Sequence, residues 1–170
     1  REVTAAFQAI RRLPSISAGV LADGELSWTG TAGLGGGADV PHRIGSITKT
    51  MTAVLVMQCR DEGLLSLDDP LRDWIPESAY ADVSLRALLN HTSGICSEPV
   101  GDWWERSAGQ PAVDVIARNE GRIGTPGKGF HYSNIGYALL GEVAARVRGQ
   151  GWDDLVRGRI WEPLEMAQTS

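Results

Sequence analysis

The chain has 170 residues, a net charge of −5, and 42% hydrophobic against 22% charged residues. That is enough chain for one compact domain with its own core, and the composition excludes intrinsic disorder. The mild negative charge and the lack of any Lys/Arg run exclude a nucleic-acid partner, and apolar stretches as short as residues 53–57 and 137–140 cannot span a bilayer.

Val3, Phe7, Ile10 and Leu13 recur at helical spacing, so an amphipathic helix is predicted to run up to Pro14. Residues 16–22 and 25–32 read as two strands. Asp23-Gly24 between them is a two-residue hairpin turn, because both residue types tolerate positive φ. The Gly-rich stretch 33–39 reads as a connector, since it lacks the strand and helix context of a phosphate-binding loop. A helix is expected over 46–61 with Ile47, Met51, Val54 and Leu55 as its apolar stripe and Gly63 as its stop. Cys59, one of two cysteines, falls in that pattern as a core filler, and the pair has no metal-ligand spacing. Residues 66–76 are rich in turn formers, and Asp68 and Asp69 before Pro70 suit capping rather than paired-carboxylate chemistry. Ser84 is placed to cap a short helix carrying Leu85, Leu88 and Leu89. A further short helix is predicted over 113–118, a loop over 124–129, a helix from Ile135 to a stop at Gly149, and a last helix over 152–161 that ends before Pro163.

Two constellations carry chemistry. In Ser46-Ile47-Thr48-Lys49 the hydroxyl and the amine share one helical face, and Gly45 allows a tight start to that helix. A hydroxyl at a helix N-terminus meets the positive end of the dipole, and a Lys enclosed in a mostly apolar site can take its proton. Taken alone, S-x-x-K is a common coincidence. In Tyr132-Ser133-Asn134 a phenol can relay protons beside a Lys, and an amide can bind a substrate carbonyl or hold the Lys. Alone, that triplet reads better as a packed Tyr before an Asn or Ser helix cap, with Ser133 at the helix start.

Longer stretches turn these into a resemblance. Residues 43–49 resemble the nucleophile segment of the serine β-lactamase and penicillin-binding protein superfamily, in the branch of class C β-lactamases, D-alanyl-D-alanine carboxypeptidases and related esterases. Residues 62–70, 85–94 and 132–141 are similar to the segments that follow in that branch, in the same order, so the likeness covers nearly the whole chain. It implies an α+β fold of the β-lactamase/transpeptidase type, a helical cluster packed on an antiparallel sheet. Here residues 1–40 would supply the N-terminal helix and hairpin, and 41–170 a mainly helical region with both motifs. It also implies a serine hydrolase acting through an acyl-enzyme on D-alanyl peptides, β-lactams or small esters and amides. Ser46 would be acylated, its backbone N–H forming half of the oxyanion hole, with Lys49 helping to deprotonate it. Tyr132 would pass protons to the leaving group and from the deacylating water, and Asn134 would contact substrate. No metal and no organic cofactor are implied, and an extracytoplasmic location is favoured.

Departures from the family pattern set further expectations. No third motif, a Lys or His followed by Thr or Ser and Gly, follows Asn134, so a C-terminal segment or a second chain is expected to complete the sheet. The isolated chain is then expected to lack turnover, and a non-catalytic binding or scaffold role is the alternative. Thr is usual where Asn90 stands, Gly where Glu165 stands, and Phe where His42 stands, the last being expected to alter packing behind Ser46. His91 and Ser93 read as a structural turn rather than a catalytic pair. His131, next to Tyr132, reads as an exposed loop residue ahead of one lining the site, and Trp103-Trp104 as either a cleft wall or simple packing.

Overall fold

Residues 2–34, 40–99 and 121–169 are described by the structure, a computed structural model. The helix predicted at 113–118 and the tryptophans Trp103 and Trp104 lie outside the described residues. The chain divides into two units, Arg1–Arg43 and Ile44–Ser170.

In the first unit, helix α1 (Glu2–Arg11) lies against a two-stranded antiparallel hairpin of β1 (Ser15–Ala22) and β2 (Glu25–Gly33). Asp23 and Gly24 are both left-handed, at φ 53° and 83°, as the two-residue turn requires. Val20 pairs with Trp28 but Leu21 with Leu26, so Ser27 is an extra residue in β2. Its Oγ donates to Val20 O at 3.0 Å. The helix forms where its periodicity predicts, but its face does not. Thr4 is the buried residue, whereas Val3 and Ile10 are 83% and 77% exposed. A ribbon of two strands is about as wide as one helix, so it covers only one strip of α1. That strip is the Thr4 side. His42, still in this unit, shares a 3.0 Å hydrogen bond between its Nε2 and Ser17 Oγ.

The second unit is helical. A 3-10 turn (Gly45–Ile47) runs directly into α2 (Thr48–Asp61). Gly45 takes φ +54°, a left-handed start that would strain any other residue. The buried face of α2 is Met51, Thr52, Leu55, Val56 and Cys59, while Ile47 and Val54 of the predicted stripe are exposed. Ile47 precedes the α-helical pitch. Thr52 belongs inside because its Oγ1 accepts from Trp152 Nε1 at 3.1 Å, a partner that hydrophobic patterning cannot anticipate. Cys59 is fully buried, as expected.

Asp69 Oδ2 accepts from Ser66 N at 2.7 Å and shapes the predicted turn, while Asp68 pairs with Arg86 through two bonds of 2.8 and 3.0 Å. Ser84 caps α3 (Leu85–Leu89) by accepting from Ala87 N. Helix α4 (Asn134–Arg148) starts at Ser133 and stops at Gly149. The segment predicted as one last helix is α5 (Trp152–Val156) continuing into a wider π-helical turn (Arg157–Trp161). α4 packs on α2, α3 and α5. Leu55, Leu71, Ile75, Leu85, Leu139 and Leu140 are at most 1% exposed in the shared core. Burying each such side chain contributes about 1.5–3 kcal/mol, which fixes α2 and α4 side by side.

Candidate active site

The start of α2 and the start of α4 bring the two sequence motifs together. Tyr132 Oη donates to Ser46 Oγ at 2.7 Å, and Lys49 Nζ reaches the same oxygen at 3.4 Å. Lys49 also donates to Asn134 Oδ1. Its Nζ lies 4.7 Å from the Tyr132 ring centroid and 5.7 Å from that of Tyr137, so two aromatic faces share the ammonium. All four residues picked from the sequence, Ser46, Lys49, Tyr132 and Asn134, therefore meet at one place.

The electrostatics favour the ionised form of Tyr132. Burial pushes the Tyr132 phenol up, but hydrogen bonds with Lys49 and Ser46 and the Lys49 charge outweigh it, and its pKa falls below the ordinary 10.0. Glu98 opposes this weakly. Tyr137 moves the other way, raised by burial and then by Tyr132, and it stays a donor to Leu89 O at 2.9 Å. Once the Tyr132 phenol is ionised, an oxygen 2.7 Å from it can hand over its proton, and the Lys49 amine on its other side faces the developing negative charge.

Ser46, Lys49 and Asn134 edge a cleft of about 740 Å³ that runs between α2 and α4 past Ala138 and Gly141 to Trp152. Its lining joins apolar residues such as Ile135, Ala138 and Trp152 to a few polar side chains, the usual build of a small-ligand site. Among the described residues, no cluster of three or more His, Cys, Asp or Glu could hold a metal.

A sequence model of the beta-lactamase family matches residues 1–170. The chain belongs to that family. It is 33% identical to penicillin-binding protein 4 of Amycolatopsis lactamdurans over 96% of this chain and 47% of that protein. It is 30% identical to esterase EstB of Burkholderia gladioli, over 75% and 38% of the respective lengths. A D-stereospecific amidohydrolase from Streptomyces superposes with a TM-score of 0.79 at 34% identity, covering 96% of this chain and 54% of that one. The chain thus spans about half or less of the length of these relatives, two of which carry hydrolase names, and they place it in the β-lactamase/transpeptidase-like fold class.

Several residues that serve the site in this beta-lactamase-family chain escaped sequence reading. His91, expected as a turn residue, does sit in a left-handed turn at φ 59°, but its ring also stacks on Tyr132 (4.5 Å between centroids) and Tyr137 (5.0 Å). Its Nδ1 accepts from Ser133 N at 3.1 Å. Burial and then the Lys49 charge lower its pKa from 6.5, which keeps that nitrogen an acceptor.

Segment 96–98 is laced to segment 131–134. Ser133 Oγ donates to Cys96 O and Asn134 N to Ser97 O, while Ser97 Oγ donates to Tyr132 O. Because the Ser97 hydrogen goes to Tyr132, His131 Nε2 must donate to Ser97 Oγ across their 2.9 Å contact, so this half-buried ring is tied down rather than a free loop residue. Finally, Asn134 Nδ2 donates to Glu98 Oε1. Nothing in local spacing announces these pairs, which lie more than thirty residues apart in sequence. Ser133, by contrast, is the helix cap expected of it, with Oγ accepting from Gly136 N at 3.0 Å.

Proposed function

We propose that the protein is a serine hydrolase that works through an acyl-enzyme on Ser46. The observation that carries this reading is the convergence of a phenol and an amine on one hydroxyl, at 2.7 and 3.4 Å. Tyr132 in its phenolate form takes the Ser46 proton, with Lys49 holding the negative charge in place, and Oγ attacks the acyl carbon. The same proton then passes from Tyr132 to the departing nitrogen or oxygen, leaving the Ser46 ester. Water, deprotonated by Tyr132, attacks that ester, and the proton returns to Ser46 Oγ as the acid leaves. Asn134 steadies Lys49 and borders the substrate. The relatives named as a penicillin-binding protein, an esterase and a D-stereospecific amidohydrolase support D-alanyl peptides, β-lactams and small esters or amides as substrates. An extracytoplasmic location is part of the same proposal. Among the described residues, no helix is long and apolar enough to cross a membrane.

Intact-mass detection of a fluorescent penicillin or a phosphonate on the protein tests the nucleophile. Ser46→Ala should abolish the adduct, and an undiminished adduct would refute the assignment. A wild-type protein that never forms an adduct with either probe, with the segment or chain that completes the sheet present, would favour a non-catalytic binding role.

The phenol predicts a pH profile. Because the deprotonated form accepts the Ser46 proton, acylation should rise with pH through a step below 10.0, the direction in which the Tyr132 pKa is moved. Tyr132→Phe should remove that step and slow acylation by roughly 10²- to 10⁴-fold. A step that persists in the Phe variant belongs to another group.

A further inference from the structure

We propose that Glu98 is a positioning residue for this site, which orients the Asn134 amide and through it the Lys49 amine. The inference rests on the acyl-enzyme reading for its activity readout, but its structural half stands on the geometry alone. Asn134 is held at both ends by groups of fixed polarity. Its Oδ1 accepts from Lys49 Nζ and its Nδ2 donates to Glu98 Oε1. A Lys ammonium can only donate and an ionised carboxylate can only accept. Turning the amide over would set N–H against ammonium and oxygen against carboxylate, so both contacts would become repulsive. The assignment of oxygen and nitrogen in this side chain is therefore dictated by its neighbours.

Glu98 is itself placed by the residues it serves. The backbone immediately before it is tied to the Tyr132–Asn134 segment through Cys96 O, Ser97 O and Ser97 Oγ. Removing the carboxylate leaves the amide gripped by Lys49 alone and free to rotate. Lys49 then loses a fixed acceptor on one side, and its approach to Ser46, already 3.4 Å, is left to the Tyr132 phenol and the ring faces of Tyr132 and Tyr137. Glu98 makes its bond to Asn134 and not to Ser46, so its effect on the reaction passes through the amide. Because Glu98 also edges the cleft, the rival explanation is a direct contact between its charge and substrate.

Four variants of the intact protein separate these. Glu98→Ala should slow saturated acylation roughly 10- to 10²-fold, the scale of a misplaced catalytic group, with KM little changed. Glu98→Gln offers Asn134 a neutral acceptor in the same place and should stay within about fivefold of wild type, because a neutral acceptor is roughly half as strong as a charged one. The double variant Glu98→Ala/Asn134→Ala should be no slower than Asn134→Ala, since both changes cut one chain. Wild-type rates in Glu98→Ala, additive losses in the double variant, or a Gln variant as slow as the Ala variant would each overturn the positioning role, the last pointing to charge on substrate. A readout independent of turnover is exchange of the Asn134 side-chain amide protons, measured by NMR. Protection in the wild type that disappears in Glu98→Ala is expected, and equal exchange in both would overturn the proposal. If wild type with its sheet-completing segment present forms no acyl adduct, the acyl-enzyme reading fails, yet the exchange measurement still decides whether Glu98 holds the amide.

Discussion

Val3 and Ile10 of α1 and Leu21 and Leu26 of the hairpin stand 62% or more exposed, while Leu55, Leu140 and Val143 of the helical unit are completely buried. The two regions draw on the same apolar residue types, so residue type alone does not decide burial. What differs is the number of opposing surfaces. A helix on two strands can hide one strip of itself, whereas α2, α3, α4 and α5 surround one another. Ser46, Lys49, Tyr132 and Asn134 all belong to the second kind of region. A hydroxyl that must sit 2.7 Å from a phenol is well served by helices locked in a dense core.

The contrast can be broken from either side. The largest effect is expected at Leu139, 1% exposed at the centre of α4, where Leu139→Ala should cost about 2–5 kcal/mol in denaturant unfolding. A loss below about 1 kcal/mol would mean that the helical unit collapses around the cavity and is far less tightly packed than its burial implies. At the other end, Ile10→Ala on the open face of α1 should change stability by no more than about 0.5 kcal/mol. A clearly larger loss would show that this face is covered in the protein, and the two regions would then be alike.

Local rules announced much of this fold. The Asp23-Gly24 turn, the caps at Ser84 and Ser133 and the stop at Gly149 each depend on one or two neighbouring residues, and each stands where the sequence puts it. The site motifs were legible because Ser46 and Lys49 lie one helical turn apart and Tyr132 and Asn134 are two residues apart. The buried side of α1 and half of that of α2, Ile47 and Val54 but not Met51 and Leu55, were misjudged for a physical reason: which face is hidden depends on a partner that the segment does not contain. For α2 that partner is Trp152, whose indole draws the polar Thr52 inward. His91 and Glu98 were missed as parts of the site on the same ground, since their roles consist of contacts with residues 132–137 made only after the chain has folded back.

Ser133 has an effect that reaches beyond its own helix. Its single oxygen gives a hydrogen to Cys96 O and receives one from Gly136 N, so one atom both closes the first turn of α4 and fastens the neighbouring segment. Tyr132 and Asn134 sit on either side of it. Loss of that one hydroxyl would therefore remove a bond from the helix end and a bond from the segment that carries Glu98 at the same time.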